Sequence, residues 1–139
     1  MLSALVINLL SIFISIFPAT ETGLHVKVLG LKSNDGNIIL GVFKNNGSFP
    51  TIGEQYKGYE LQIKDKKASI WIKDLPKGTY AIGICHDLNS NNKMDKNFVG
   101  FPQEPYGMSK NVRGYLSNPT FAQASFYFDG SMTLEIKVE

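Results

Sequence analysis

From residue 23 to the C-terminus the sequence holds no run of helical period longer than a turn or two, while short runs of period two recur between clusters of Gly, Asn, Asp and Pro. Side chains alternate across a strand but recur every 3.6 residues around a helix, so this pattern admits strands and excludes a helical bundle. In LHVKVLGL, Leu24, Val26 and Val28 share one face and His25 and Lys27 the other. SNDGN (33–37) offers Asp35-Gly36 for positive φ and predicts a hairpin returning through NIILGVFK. YELQIKD and ASIWIKD read as a second hairpin about the KDKK turn (64–67), and ASFYFDGSMTLEIKVE as a third turning at Asp129-Gly130. Between them, LPKGTYAIGICHD is apolar on both faces, as a central strand must be. The segment 98–125 is rich in Pro and Gly and reads as irregular, with a short helical turn around Phe121 to Ala124. About seven strands with this turn spacing predict an all-β, immunoglobulin-like β-sandwich.

At 139 residues the chain is long enough to bury a core without metal or disulfides to hold it. The 14 Lys+Arg and 12 Asp+Glu leave a formal charge of +2 with no basic face, which argues against a nucleic-acid partner. Residues 1–20 carry no charge, and Leu2 to Phe17 is apolar apart from Ser and Asn. No Lys/Arg flank follows it, so residues 1–20 read as a signal peptide, with an uncleaved anchor as the alternative and the only predicted membrane contact. Residues 21–139 read as a single domain, periplasmic or extracellular. The single Cys85 permits that oxidising setting without demanding it.

The stretch HDLNSNNKMDKN (86–97) places Asp87, Asn89, Asn91, Lys93 and Asp95 at alternate positions. Hard cations such as Ca²⁺ take oxygen ligands from positions 1, 3 and 5 of a tight loop, a backbone carbonyl at 7 and an oxygen at 9. These five residues fall at those places, with the carbonyl of Lys93 at the seventh. Position 6, ordinarily Gly, is Asn92, and position 12, ordinarily a bidentate Glu, is Phe98, so Glu104 or water would complete the shell. The competing reading is an Asn-rich turn that caps its own backbone. Neighbours on a strand point to opposite faces, which removes Cys85 and His86 as a nucleophile and base pair. His86, Tyr106 and Arg113 are candidate ligand-binding residues. No catalytic motif of the GxSxG, GxGxxG or HExxH kind occurs.

LPKGTYAIGICHDLNSNNKMDKNFVGFPQEPYGMSKNVRG resembles the signature region of the DUF2141 family, small exported bacterial β-domains of unknown function. The residues that carry the resemblance are Leu75, Pro76, Gly78, Tyr80 and Ala81, then His86 with Asp87, then Asn89, Asn91 and Asp95. Further along they are Gly100, Pro102, Glu104, Tyr106, Gly107, Ser109, Arg113 and Gly114. Asn92, Met108 and Cys85 depart from the family pattern, the first of them inside the cation loop. The resemblance implies export and a sandwich of the immunoglobulin or transthyretin-like kind, similar to regulatory domains that accompany some carboxypeptidases. It implies no activity.

The chain is therefore expected to be an exported, non-enzymatic binding module with a weak structural Ca²⁺ site at 87–95. Its partner would be a glycan, a peptide or an envelope protein. The alternative is an envelope hydrolase or ligand-modifying enzyme using His86 with Glu104 or Arg113, which requires an open pocket beside the imidazole.

Overall fold

The alternation sorts into two facing sheets in the computed structural model, which describes residues 21–139. The leader expected over 1–20 lies outside the described residues. The strands are β1 (Gly23–Leu29), β2 (Asn37–Phe43), β3 (Lys57–Leu61), β4 (Ala68–Ile72), β5 (Gly78–Asp87), β6 (Tyr106–Met108), β7 (Phe126–Phe128) and β8 (Ser131–Lys137). One sheet runs β4-β1-β8 and the other β3-β2-β5-β6, with β7 paired to the start of β5. Every pairing is antiparallel except that of β1 with β8, which brings the first and last strands side by side in parallel.

Between the sheets lie the apolar sets that the alternation predicts: Leu24, Val26 and Val28 of β1, Ile38, Leu40 and Val42 of β2, and Tyr80, Ile82 and Ile84 of β5. Burying one such side chain contributes about 1.5–3 kcal/mol, so this shared core dominates the stability of the fold. At the entry to β5, the Tyr80 hydroxyl donates to the carbonyl of Pro76 at 2.8 Å, a corner bond of the kind that Greek-key sandwiches use.

The architecture is the expected all-β sandwich, but the three predicted hairpins are not hairpins. β1 pairs with β4 and β8 and never with β2, β3 pairs with β2 and never with β4, and β7 pairs with β5 and never with β8. Each turn forms where expected, and at KDKK Lys64 and Lys67 exchange backbone hydrogen bonds of 3.0 Å around Asp65 and Lys66, both at positive φ. Beyond each turn the chain crosses to the opposite sheet. Turn chemistry sets the bend. The need of a one-faced strand for apolar cover decides which sheet receives the next one. The eighth strand, β6, is three residues inside the stretch read as irregular. The expected helical turn is α1 (Phe121–Ala124), closed by a capping box of Thr120 and Gln123.

The larger sheet has a second apolar face. Ile39, Gly41 and Phe43 of β2, with Ala81, Gly83 and Cys85 of β5, point away from the core. Gly58, Gly41 and Gly83 stand in register across three strands and form a trough. The Phe43 ring lies along it, 2.7 Å from where a Cβ on Gly41 would stand. Loop 44–56 folds onto this face through Phe49, whose ring meets Phe43 edge-on at 5.3 Å and Phe121 at 6.2 Å. The two-faced apolar character of β5 therefore has two causes, the sandwich core on one side and a layer of loops on the other. Among the described residues no helix is long and apolar enough to cross a membrane.

Candidate functional site

The segment from Asp87 to Glu104 is braced almost entirely by its own acids and amides. Asp87, buried at the end of β5, accepts the N–H of Asn91 at 3.1 Å through Oδ1 and that of Asn92 at 2.7 Å through Oδ2. Asn92 turns with φ 60°, so it supplies the left-handed backbone that a glycine supplies at this position in calcium loops. Glu104, also buried, reaches back across the segment and accepts the N–H of Leu88 at 2.9 Å and of Asp95 at 3.1 Å. The side-chain amides of Asn89 and Asn91 converge on the two oxygens of Asp95 at 2.7 and 2.8 Å. Their own carbonyl oxygens accept the N–H groups of Asn91 at 3.2 Å and Lys93 at 3.0 Å.

The structure thus brings Asp87, Asn89, Asn91, Asp95 and Glu104 into one loop and gives each a backbone or amide partner. Among the described residues no three of His, Cys, Asp and Glu converge as a metal-binding set. A cation here would rest on Asp95, on amide and carbonyl oxygens, and on the second lone pairs of carboxylates already bonded to N–H groups. Beside the loop, Asn37 stands across from Asp87 in the β2–β5 register. Its Nδ2 donates to Glu60, and its Oδ1 is buried without a hydrogen-bond partner.

Between this loop and loop 44–56, over the outer face of the larger sheet, is a cavity of about 270 Å³. Ile39, Phe43, Cys85 and Met108 form its floor, Met94 and Tyr106 its walls, and Lys93, Lys96, Gln55 and Asn118 also border it. No Asp or Glu lines it. The cavity exists because the glycine trough lowers the sheet surface while the braced loop holds Met94 and the two lysines over it. A second depression near β8 is bordered by Arg113, Glu135, Lys137 and Glu139, where the opposite charges of Lys137 and Glu139 lie 3.6 Å apart.

His86 points the other way. Its ring is buried on the core face of β5, with Nε2 2.7 Å from the carbonyl oxygen of Asp35. A carbonyl only accepts, so Nε2 carries the proton and the ring ties β5 to the β1–β2 connection. Its bonded partner is this backbone carbonyl and not Glu104 or Arg113, and among the described residues it borders neither of the two cavities. Arg113 donates to the carbonyls of Tyr106 at 3.1 Å and Glu139 at 3.2 Å and lies over the Tyr106 ring at 4.5 Å. It clamps the end of the chain to β6, and only Tyr106 of this trio borders the cavity. The Cys85 thiol lies 3.6 Å from Glu104 Oε2, and burial, reinforced by the Glu104 charge, pushes it well above the usual thiol range. It stays protonated and donates to the carboxylate.

Sequence reading missed the cavity and with it Lys96, Met94, Met108 and Asn118. Two lysines three residues apart beside a Met are an ordinary surface pattern. Only the fold shows that they overhang an apolar floor. Ser109 was also missed as a structural joint: buried, it accepts the N–H of Ile82 at 2.9 Å and donates to the carbonyl of Ala124 at 2.6 Å.

Fold and site together define a two-sheet β-sandwich that carries a loop-walled cavity on the outer face of one sheet. The family model described as an uncharacterized protein conserved in bacteria (DUF2141) matches residues 26–135, and the chain belongs to that family. No curated protein and no solved structure matches the chain.

Proposed function

We propose that the protein is an exported binding module whose cavity receives a small amphipathic anion, with an apolar body on the floor and an acidic head beside Lys93 and Lys96. The observation that carries this reading is the pairing of an apolar floor with a border that has two lysines and no acid. The volume lies near the lower end of ligand pockets, about 300–1,000 Å³, so the ligand is short. Binding is favoured over catalysis because His86 is buried and bonded to a carbonyl and the Cys85 thiol stays protonated, so neither is presented to the cavity as a base or nucleophile. The test is displacement of 1-anilinonaphthalene-8-sulfonate by decanoate. Decanoate should displace the dye saturably, and Lys93→Gln with Lys96→Gln should weaken it by roughly 0.4–2 kcal/mol, since exposed charge pairs contribute about 0.2–1 kcal/mol each. Equal affinity of decanoate and decanol in wild type would remove the role of the lysines.

A second element of the proposal is Ca²⁺ held by the 87–95 loop. It is supported by the gathering of Asp87, Asn89, Asn91 and Asp95 in one tight loop and by the unpartnered Asn37 Oδ1 next to Asp87 in register. With few free carboxylate oxygens, the dissociation constant should be on the order of 0.1–1 mM, as in extracellular modules. At about 2 mM free Ca²⁺ the mass-action gain is then about 0.7–1.8 kcal/mol, a rise of several degrees in Tm. Asp95→Ala should abolish that rise. Identical melting in Ca²⁺ and in chelator would leave the loop as a self-capping turn.

A further inference from the structure

Among the described residues one buried side-chain polar atom lacks a hydrogen-bond partner, Oδ1 of Asn37. Asn37 opens β2 and is 4% exposed. A buried acceptor left without a donor is destabilising, so folds keep one only for a reason. The orientation of the amide is set by its other arm, since Nδ2 donates to Glu60 Oε1 on β3. Turning the amide over would put its oxygen against that carboxylate, acceptor against acceptor, so the unpartnered atom is the oxygen. β2 lies between β3 and β5. With the nitrogen committed to the β3 side, the oxygen falls on the β5 side, where Asp87 is the register partner of Asn37 and shares its face of the sheet.

An amide oxygen and a carboxylate thus stand side by side in a buried position. Oxygen beside oxygen is repulsive until a donor or a cation lies between them. The surrounding charge favours a cation, because Asp87, Asp95 and Glu104 outnumber Lys93 and Lys96 in the same segment, and Glu60 adds a carboxylate beside Asn37. Glu104, which the spacing offers as the ligand from beyond the loop, has other partners. Its Oε1 accepts the N–H of Leu88 at 2.9 Å, and its Oε2 accepts both the N–H of Asp95 at 3.1 Å and the Cys85 thiol at 3.6 Å. A shell begun by Asp87, Asn89, Asn91 and Asp95 therefore draws its further oxygen from elsewhere, and Asn37 Oδ1 has both lone pairs available. Hard divalent cations accept amide carbonyl oxygens alongside carboxylates.

We propose that Asn37 Oδ1 is a ligand of the cation held by the 87–95 loop, so that the site spans the start of β2 and the loop and takes a hard divalent cation such as Ca²⁺. The proposal rests on the calcium reading of the loop and adds the ligand that comes from outside it. A cation bound there ties β2 to the segment that carries Lys93, Met94 and Lys96 over the cavity. The test is titration of the full chain with Ca²⁺, read by the side-chain amide NMR signals of Asn37 and by melting temperature. The amide signals of wild type should move saturably, with the same midpoint as the thermal shift. Asn37→Leu should raise the Ca²⁺ dissociation constant about tenfold, and Asn37→Asp, which adds a charge to the shell, should lower it. Asn37→Asp keeps the size of the side chain and reads the ligand role even where the Leu variant does not fold. Tighter binding by the Asp variant is an outcome that a merely structural Asn37 does not produce. Wild type that binds Ca²⁺ with its Asn37 amide signals unmoved, or no more weakly after Asn37→Leu, or no more tightly after Asn37→Asp, overturns this proposal and leaves the loop site standing. Wild type that binds no Ca²⁺ by either readout overturns both.

Discussion

Asp87 Oδ2 accepts the backbone N–H of Asn92 at 2.7 Å, and Asn92, like Ser90 before it, turns the loop through left-handed backbone. The buried carboxylate thereby holds the turn that carries Lys93, Met94 and Lys96 over the cavity. Removing it strands the Asn92 N–H and leaves the Asn91 N–H only its bond to Asn89, so Asp87→Ala should cost about 1–3 kcal/mol in urea unfolding. Asn92→Gly should change stability by less than about 1 kcal/mol, because glycine adopts this φ freely, whereas Asn92→Val should destabilise as strongly as Asp87→Ala. Equal stability of the Val and Gly variants would show that the turn does not depend on this backbone state.

The glycine trough and the Ser109 joint give a second set of expectations. A Cβ on Gly41 would stand 2.7 Å from the buried Phe43 ring, while one on Gly83 meets its nearest neighbour at an ordinary 3.5 Å. Gly41→Ala should therefore destabilise by about 1–3 kcal/mol, and Gly83→Ala should be tolerated. Ser109→Ala leaves the Ile82 N–H and the Ala124 carbonyl without their partner and should cost about 1–3 kcal/mol. Thermal melts of the three variants check the order.

The buried thiol predicts a pH dependence. Cys85 is protonated in the fold with its pKa raised by burial, whereas in the unfolded chain it ionises near about 8.5. The fold binds the proton more tightly, so the contribution of Cys85 to stability is fully present below that value and is lost as pH rises from there toward the raised folded value. The slope between wild type and Cys85→Ala should approach about 1.4 kcal/mol per pH unit above pH ~9. Parallel stability curves up to pH ~10 would place the thiol in contact with water.

How far the chain could be read depended on the range of the signal. Alternation in LHVKV and NIILGVF and the two-faced apolar character of 80–85 gave the strands and the central place of β5, because burial acts residue by residue along a strand. Pairing partners were misread at all three turns because the choice of sheet depends on apolar faces far apart in sequence. At the site, the spacing of Asp87, Asn89, Asn91 and Asp95 and the approach of Glu104 were legible. That His86 faces the core and is bonded to Asp35 was not, since strand alternation separates His86 from Cys85 without saying which of them faces the core. The cavity lies between two loops whose packing no local pattern encodes.

The central claim, that the cavity is a ligand site, is tested most directly by methyl NMR of the protein labelled at methionine. Its four methionines are Met1, Met94, Met108 and Met132. Met94 and Met108 border the cavity, whereas Met132 lies on the opposite sheet, in β8. Titration with decanoate should move the Met94 and Met108 methyl signals saturably and leave Met132 in place, and Lys93→Gln with Lys96→Gln should shift the midpoint to higher concentration. Shifts that never saturate, or that appear equally at Met132, would contradict the account.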